Sequence, residues 1–67
     1  MDEILKQIEK ILREEGAEMD CWVGNAGVLC EISADHLGKG LGATLEDAMR
    51  KALAAYEMDR AAGEMGN

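Results

Sequence analysis

The sequence predicts an α+β fold, a two-layer sandwich with two helices on one face of an antiparallel sheet. Amphipathic segments lie towards both ends of the 67-residue chain, and a segment of alternating side chains lies between them. Residues 20–31 are mirrored by residue type about Asn25-Ala26, since acid, cysteine, large apolar residue, valine and glycine occur in both directions. A β-hairpin folded at this centre pairs each residue with its mirror partner, so the pattern predicts register as well as strands.

Residues 2–15 are predicted to form the first helix, because their apolar side chains recur on one face. Asp2 and Glu3 suit its N-terminus, and Gly16 suits the position just after its end. A second helix should begin after Thr44, a good N-cap residue, and fade near Ala62. The apolar stripes of the two helices are Ile4, Leu5, Ile8, Ile11 and Leu12, then Leu45, Ala48, Met49, Ala52, Leu53 and Tyr56.

Between the helices, residues 19–23 and 28–33 are predicted to be the hairpin strands. Asn25 and the flanking glycines tolerate the positive φ of a tight turn. Residues 39–43 are a possible short third strand, with Leu41 pointing inward and Gly40 and Gly42 outward. Alternation of side chains places one apolar set towards the helices: Met19, Cys21, Val23, Val28, Cys30 and Ile32.

Composition points to one small acidic domain over residues 1–62, followed by a flexible tail at 63–67. Seven basic and fourteen acidic residues give a formal charge of −7, which argues against direct binding to nucleic acid or anionic lipid. We expect a partner with a basic surface instead. No apolar run approaches the ~20 residues of a membrane span. Acidic residues stand where a signal peptide would be cationic, so we expect a cytoplasmic protein.

The two cysteines leave two interpretations open. The mirror places Cys21 opposite Cys30, at a non-hydrogen-bonded position where side chains approach most closely and a cross-strand disulfide is possible. Both also lie on the expected core face, where a reduced cysteine behaves as a small apolar residue. One histidine and two cysteines are too few for a closed zinc site without other ligands, so we predict neither metal nor cofactor.

Trp22 and Leu29 form a pair on the opposite face of the hairpin. If no helix covers that face, the pair is exposed and suits contact with a partner or with a second copy of the chain. Alternatively, the third strand or the loop at Leu37 folds over it. We expect a partner-binding surface made of Trp22, Leu29 and Glu31, with the acidic groups of Asp20 and Asp35 facing basic residues of the partner.

A glycine-rich segment and a histidine offer weaker functional signals. Residues 38–44 precede a helix N-terminus and could form a small anion- or metabolite-binding module. They lack the spacing of a P-loop or a dinucleotide fingerprint, and a glycine-rich edge strand explains them as well. His36 lies beside Asp35 with Ser33 as a nominal nucleophile, but a solvated loop histidine is the simpler reading. No convergent polar set indicates an enzyme.

One segment carries a resemblance to known families. Residues 40–56 read Gly-Leu-Gly-Ala-Thr-Leu-Glu-Asp-Ala-Met-Arg-Lys-Ala-Leu-Ala-Ala-Tyr. This glycine-rich strand, threonine cap and Ala/Leu helix resemble a segment of phage proteins with an α/β/α sandwich domain and of antitoxins of the HicB type. In size and acidity the chain is also similar to small anti-CRISPR proteins of phages. The resemblance implies a non-enzymatic protein that binds and occludes a partner, or alternatively a HicB-like regulatory partner domain.

Overall fold

The computed structural model describes the backbone of residues 2–65 and contains two helices and three strands. Helix α1 spans Asp2–Glu15, strands β1, β2 and β3 span Glu18–Gly24, Gly27–Ser33 and Leu37–Gly42, and helix α2 spans Leu45–Met65. The strands form one antiparallel sheet in the order β1-β2-β3. The predicted α+β class and the order helix, hairpin, third strand, helix are confirmed. Helix α2 is longer than expected and includes 63–65 of the expected tail, whereas 66 and 67 lie outside the described residues.

The hairpin has the register that the mirrored sequence predicts. Gly24 pairs with Gly27, and the pairing continues in step to Cys21 with Cys30 and Asp20 with Glu31. Of the turn residues expected to tolerate positive φ, Gly27 adopts it, with a φ of 139°, whereas Asn25 does not. At the end of α1, Gly16 has a φ of 64° and adopts the left-handed conformation expected of a residue that follows a helix.

Strand β3 presents its glycines to α2, which corrects the expected facing of this strand. Gly38, Gly40 and Gly42 pair with Ile32, Cys30 and Val28 and therefore lie on the same face as that apolar set. A Cβ at Gly40 would overlap the backbone of α2 at Ala48 and Ala52. The helix thus lies backbone to backbone on β3, which only a glycine stripe allows.

The core lies between α2, the inner side of β2 and the isoleucines of α1, whereas Leu5 of the expected stripe is 44% exposed. Its buried members are Ile4, Ile8, Ile11, Val28, Cys30, Ile32, Ala48, Met49, Ala52, Leu53 and Tyr56. Strand β1 contributes little to it, because α2 packs on β2 and β3. Cys21 and Val23 were expected in the core but are exposed, Val23 to 80%, while Met19 is half-buried against the core.

Candidate functional site

The face of the sheet that points away from α2 is the candidate functional site, and we call it the outer sheet face. Strand pairing places nine side chains on it: Glu18, Asp20, Trp22, Leu29, Glu31, Ser33, Leu37, Lys39 and Leu41. None of them belongs to the buried core. The face is therefore built by the sheet itself, on rigid paired strands rather than on a loop.

A row of three large apolar side chains crosses this face from edge to edge. Trp22 of β1 pairs with Leu29 of β2, which pairs in turn with Leu41 of β3. Trp22 is 51% exposed and Leu41 is 61% exposed, while Leu29 between them is half-buried. Leu41 was expected to point inward, and this was wrong because the glycines that flank it occupy the inner side. The exposed aromatic and aliphatic row is the kind of feature that anchors a protein partner.

A row of charged residues lies next to the apolar row. Asp20, Glu31 and Lys39 occupy neighbouring positions on the three strands, and Lys39 Nζ lies 3.6 Å from Glu31 Oε2. Asp20 is exposed and forms no ion pair with any residue of the described part of the chain. Glu18 adds a further carboxylate at the end of β1. The apolar row is thus bordered by a surface with excess negative charge.

The structure gathers four of the five residues expected at the partner surface. Trp22, Leu29, Asp20 and Glu31 lie together in two adjacent rows, as the mirrored register required. Asp35 is exposed in the turn at 34–36, which connects β2 to β3, and therefore lies outside both rows. Leu41 is the member that sequence reasoning missed. The recurrence of glycine at every second position of 38–42 was the signal that could have identified it.

His36 is held against α2 rather than solvated in its loop. Its ring lies edge-on to the ring of Tyr56, with centroids 6.0 Å apart, and its Nδ1 lies 3.6 Å from Asp59 Oδ2. The same carboxylate accepts a hydrogen bond of 3.1 Å from the backbone N–H of Leu37. These contacts fasten the turn that begins β3, and they give His36 a structural role.

Two polar groups of the glycine-rich segment at 38–44 make hydrogen bonds to α2. Thr44 Oγ1 accepts a hydrogen bond of 3.2 Å from the N–H of Asp47, which caps α2. Glu46 and Asp47 place negative charge in the first turn of α2, where an anion would otherwise bind. Lys51 donates to the carbonyl of Leu41 at 3.2 Å. The close packing of α2 accounts for the glycines without a ligand.

Among the residues that the structure describes, no three His, Cys, Asp or Glu side chains converge as metal ligands. No helix in this part of the chain has both the length and the apolarity to cross a membrane. Two shallow grooves run between α1 and α2, and both are lined by mixed charged and apolar side chains.

No protein-family model matches this chain, no curated protein matches its sequence, and no solved structure matches its fold.

Proposed function

We propose that this protein is a non-enzymatic binding domain that docks its outer sheet face on a basic surface of another protein and occludes it. The observation that carries the proposal is the exposed row Trp22–Leu29–Leu41, which is bordered by carboxylates and built on paired strands. The apolar row would supply the desolvated centre of the contact, and the surrounding charge would steer the partner. In this reading the two helices form the second layer of a sandwich and leave the sheet free.

The charge of the chain supports a cationic partner. A formal charge of −7 on 67 residues favours approach to a basic surface and disfavours one that is already acidic. Proteins that handle nucleic acid carry such basic surfaces. With the resemblance of size and acidity noted above, the concrete form of the proposal is a phage-type inhibitor of a CRISPR effector complex that acts in the cytoplasm.

The test is inhibition of target-DNA cleavage by a panel of purified CRISPR effector complexes. We expect the protein to slow cleavage by at least one of them, and a variant with both Trp22→Ala and Leu41→Ser to lose most of that effect. The matched control is Met58→Ser, because Met58 is 73% exposed but lies on α2. Equal inhibition by the outer-face variant and the parent protein would show that another surface makes the contact.

Charge has its own test in the same assay. Asp20→Lys reverses an exposed carboxylate near Trp22 without removing a side-chain hydrogen bond or ion pair among the described residues. We expect weaker inhibition and a smaller loss of inhibition when salt is raised, because one favourable long-range attraction has become repulsive. Inhibition that is unaffected by both salt and Asp20→Lys would argue against a basic partner surface.

A further inference from the structure

We propose that Cys21 and Cys30 are a redox-active pair that closes a disulfide between β1 and β2 when a small-molecule disulfide such as oxidised glutathione is the oxidant. This inference concerns the hairpin alone and does not depend on the proposed function. Both cysteines are free in the structure, and their Sγ atoms are 2.8 Å apart.

Backbone geometry makes the bond possible. The two cysteines are direct partners in the strand register. Gly24 and Gly27 close a two-residue turn and form a hydrogen-bonded pair. Hydrogen-bonded and non-hydrogen-bonded pairs alternate from there along the strands, so Cys21 with Cys30 occupies a non-hydrogen-bonded position. Cα atoms at such positions are about 4.5 Å apart, which lies within the ~4.4–6.8 Å range of disulfides. The bond therefore requires rotation of side chains rather than movement of strands.

The two thiols have different surroundings, which assigns them different roles. Cys21 is exposed because α2 packs on β2 and β3 and leaves this part of β1 open, so a small-molecule disulfide can reach it. Cys30 is fully buried under α2. Burial and the adjacent Cys21 sulfur raise the pKa of the Cys30 thiol to about 12, so it does not react first.

The reaction proceeds in two exchanges. The thiolate of Cys21 attacks one sulfur of the oxidant, forms a mixed disulfide and expels one thiol. Cys30 then loses its proton and attacks Cys21 Sγ, which forms the S–S bond between the strands and expels the second thiol. Two electrons and two protons pass from the protein thiols to the oxidant, which is reduced from one disulfide to two thiols.

The disulfide should stabilise strand β1 most. Strand β1 is paired on one side only, to β2, and none of its side chains belongs to the buried core, although Met19 packs against it. A disulfide to Cys30 fixes β1 to the most buried strand. The bond closes a short loop, so we expect a rise of roughly 10 °C in Tm over the reduced protein.

The experiment equilibrates the whole protein at low concentration with reduced and oxidised glutathione in fixed ratios, then alkylates free thiols and measures intact mass. We expect two alkylated thiols at the reducing limit and none at the oxidising limit, with the loss of two hydrogens and no glutathione attached. The thermal melt of each species gives the Tm difference.

Single-cysteine variants identify the roles. C30A should retain one glutathione on Cys21, because nothing resolves the mixed disulfide. C21A should remain unmodified until the protein is unfolded, because Cys30 is buried. Persistent glutathione on the wild-type protein, a covalent dimer, or two thiols that survive excess oxidised glutathione would each overturn the proposal.

Discussion

The hydroxyl of Tyr56, a fully buried residue of α2, donates a hydrogen bond of 2.7 Å to Oε1 of Glu15 at the end of α1. The other carboxylate oxygen of Glu15 accepts a bond of 2.7 Å from Arg60. A carboxylate at a helix C-terminus opposes the helix dipole. Glu15 is placed there because it joins α1 to α2 through both of its oxygens.

Removal of the tyrosine hydroxyl tests this connection. Tyr56→Phe keeps the ring in the core and deletes the donor, so we expect a loss of about 1–2 kcal/mol in the free energy of unfolding. Urea denaturation followed by the fluorescence of the single tryptophan measures it.

A double-mutant cycle with Glu15→Ala, which removes the acceptor, separates the hydrogen bond from other effects of each change. Glu14→Ala is the matched control, because Glu14 is exposed and adjacent. We expect Glu14→Ala to change stability by less than about 0.5 kcal/mol. Additive effects of Tyr56→Phe and Glu15→Ala would mean that the hydrogen bond does not contribute to stability.

Alkaline pH should destabilise the fold through two buried acids. Burial, followed by the hydrogen bond to Glu15, raises the pKa of Tyr56 from 10.0 to about 12, and burial, followed by its contact with Cys21, raises that of Cys30 from 9.0 to about 12. The folded state therefore retains protons that the unfolded chain has lost. Stability present below pH 9 should fall as the pH rises through 9 to 12.

Thermal melts of the reduced protein at half-unit steps from pH 8 to 11.5 measure this fall. The decline should begin at the ordinary pKa of each group in the unfolded chain, which is 9.0 for cysteine and 10.0 for tyrosine. Cys30→Ala should therefore remove the part of the decline that begins near pH 9, and Tyr56→Phe the part above pH 10. A Tm that stays constant across this window in the wild-type protein would contradict both shifts.

The hairpin was the part of the fold that could be predicted most closely, because mirrored residue types constrain pairing and local turn chemistry fixes its centre. The facing of β3 was predicted wrongly. Hydrophobicity alone turns Leu41 inward, but the inner positions of β3 are occupied by the glycines on which the backbone of α2 lies. That choice depends on the position of α2, which short-range patterns do not specify.

The inner side of β1 shows the same limit. Alternation correctly places Cys21 and Val23 on the helix-facing side, but it cannot say how far α2 extends across the sheet. Contacts such as Tyr56 with Glu15 join residues 41 positions apart. Their residue types alone give no signal that they meet.

The glycine stripe gives a prediction with a control in the same sheet. At Gly40, an added methyl group would overlap the carbonyl oxygen of Ala48 and the amide nitrogen of Ala52, and backbone atoms cannot move aside as a side chain does. We expect Gly40→Ala to cost about 3 kcal/mol or more, at the upper end of overpacking effects. At Gly24 nothing lies within 4 Å of the new methyl, so Gly24→Ala should be close to neutral.

Urea denaturation of the two glycine variants decides the point. A large loss for Gly40→Ala with little change for Gly24→Ala would support backbone-to-backbone packing of α2 on β3. Equal effects of the two substitutions would mean that α2 does not lie as close to β3 as the structure places it.

The facing of β3 also predicts that two apolar residues of adjacent strands differ in their contribution to stability. Ile32 is fully buried under α2, whereas Leu41 is 61% exposed on the outer sheet face. Ile32→Ala should cost about 2–5 kcal/mol, because it removes buried methyl groups and leaves a cavity. Leu41→Ala should change stability by no more than about 0.5 kcal/mol, because its side chain is already largely in water.

If Leu41 anchors a partner, the Leu41→Ala variant should bind that partner at least tenfold more weakly. Its melting temperature should stay unchanged. Calorimetric titration and a thermal melt of one preparation measure both quantities. A Leu41→Ala variant that lost stability as Ile32→Ala does would place Leu41 in the core. Unchanged stability together with unchanged affinity would show that the partner does not contact Leu41. The contact would then be confined to the Trp22 end of the row Trp22–Leu29–Leu41.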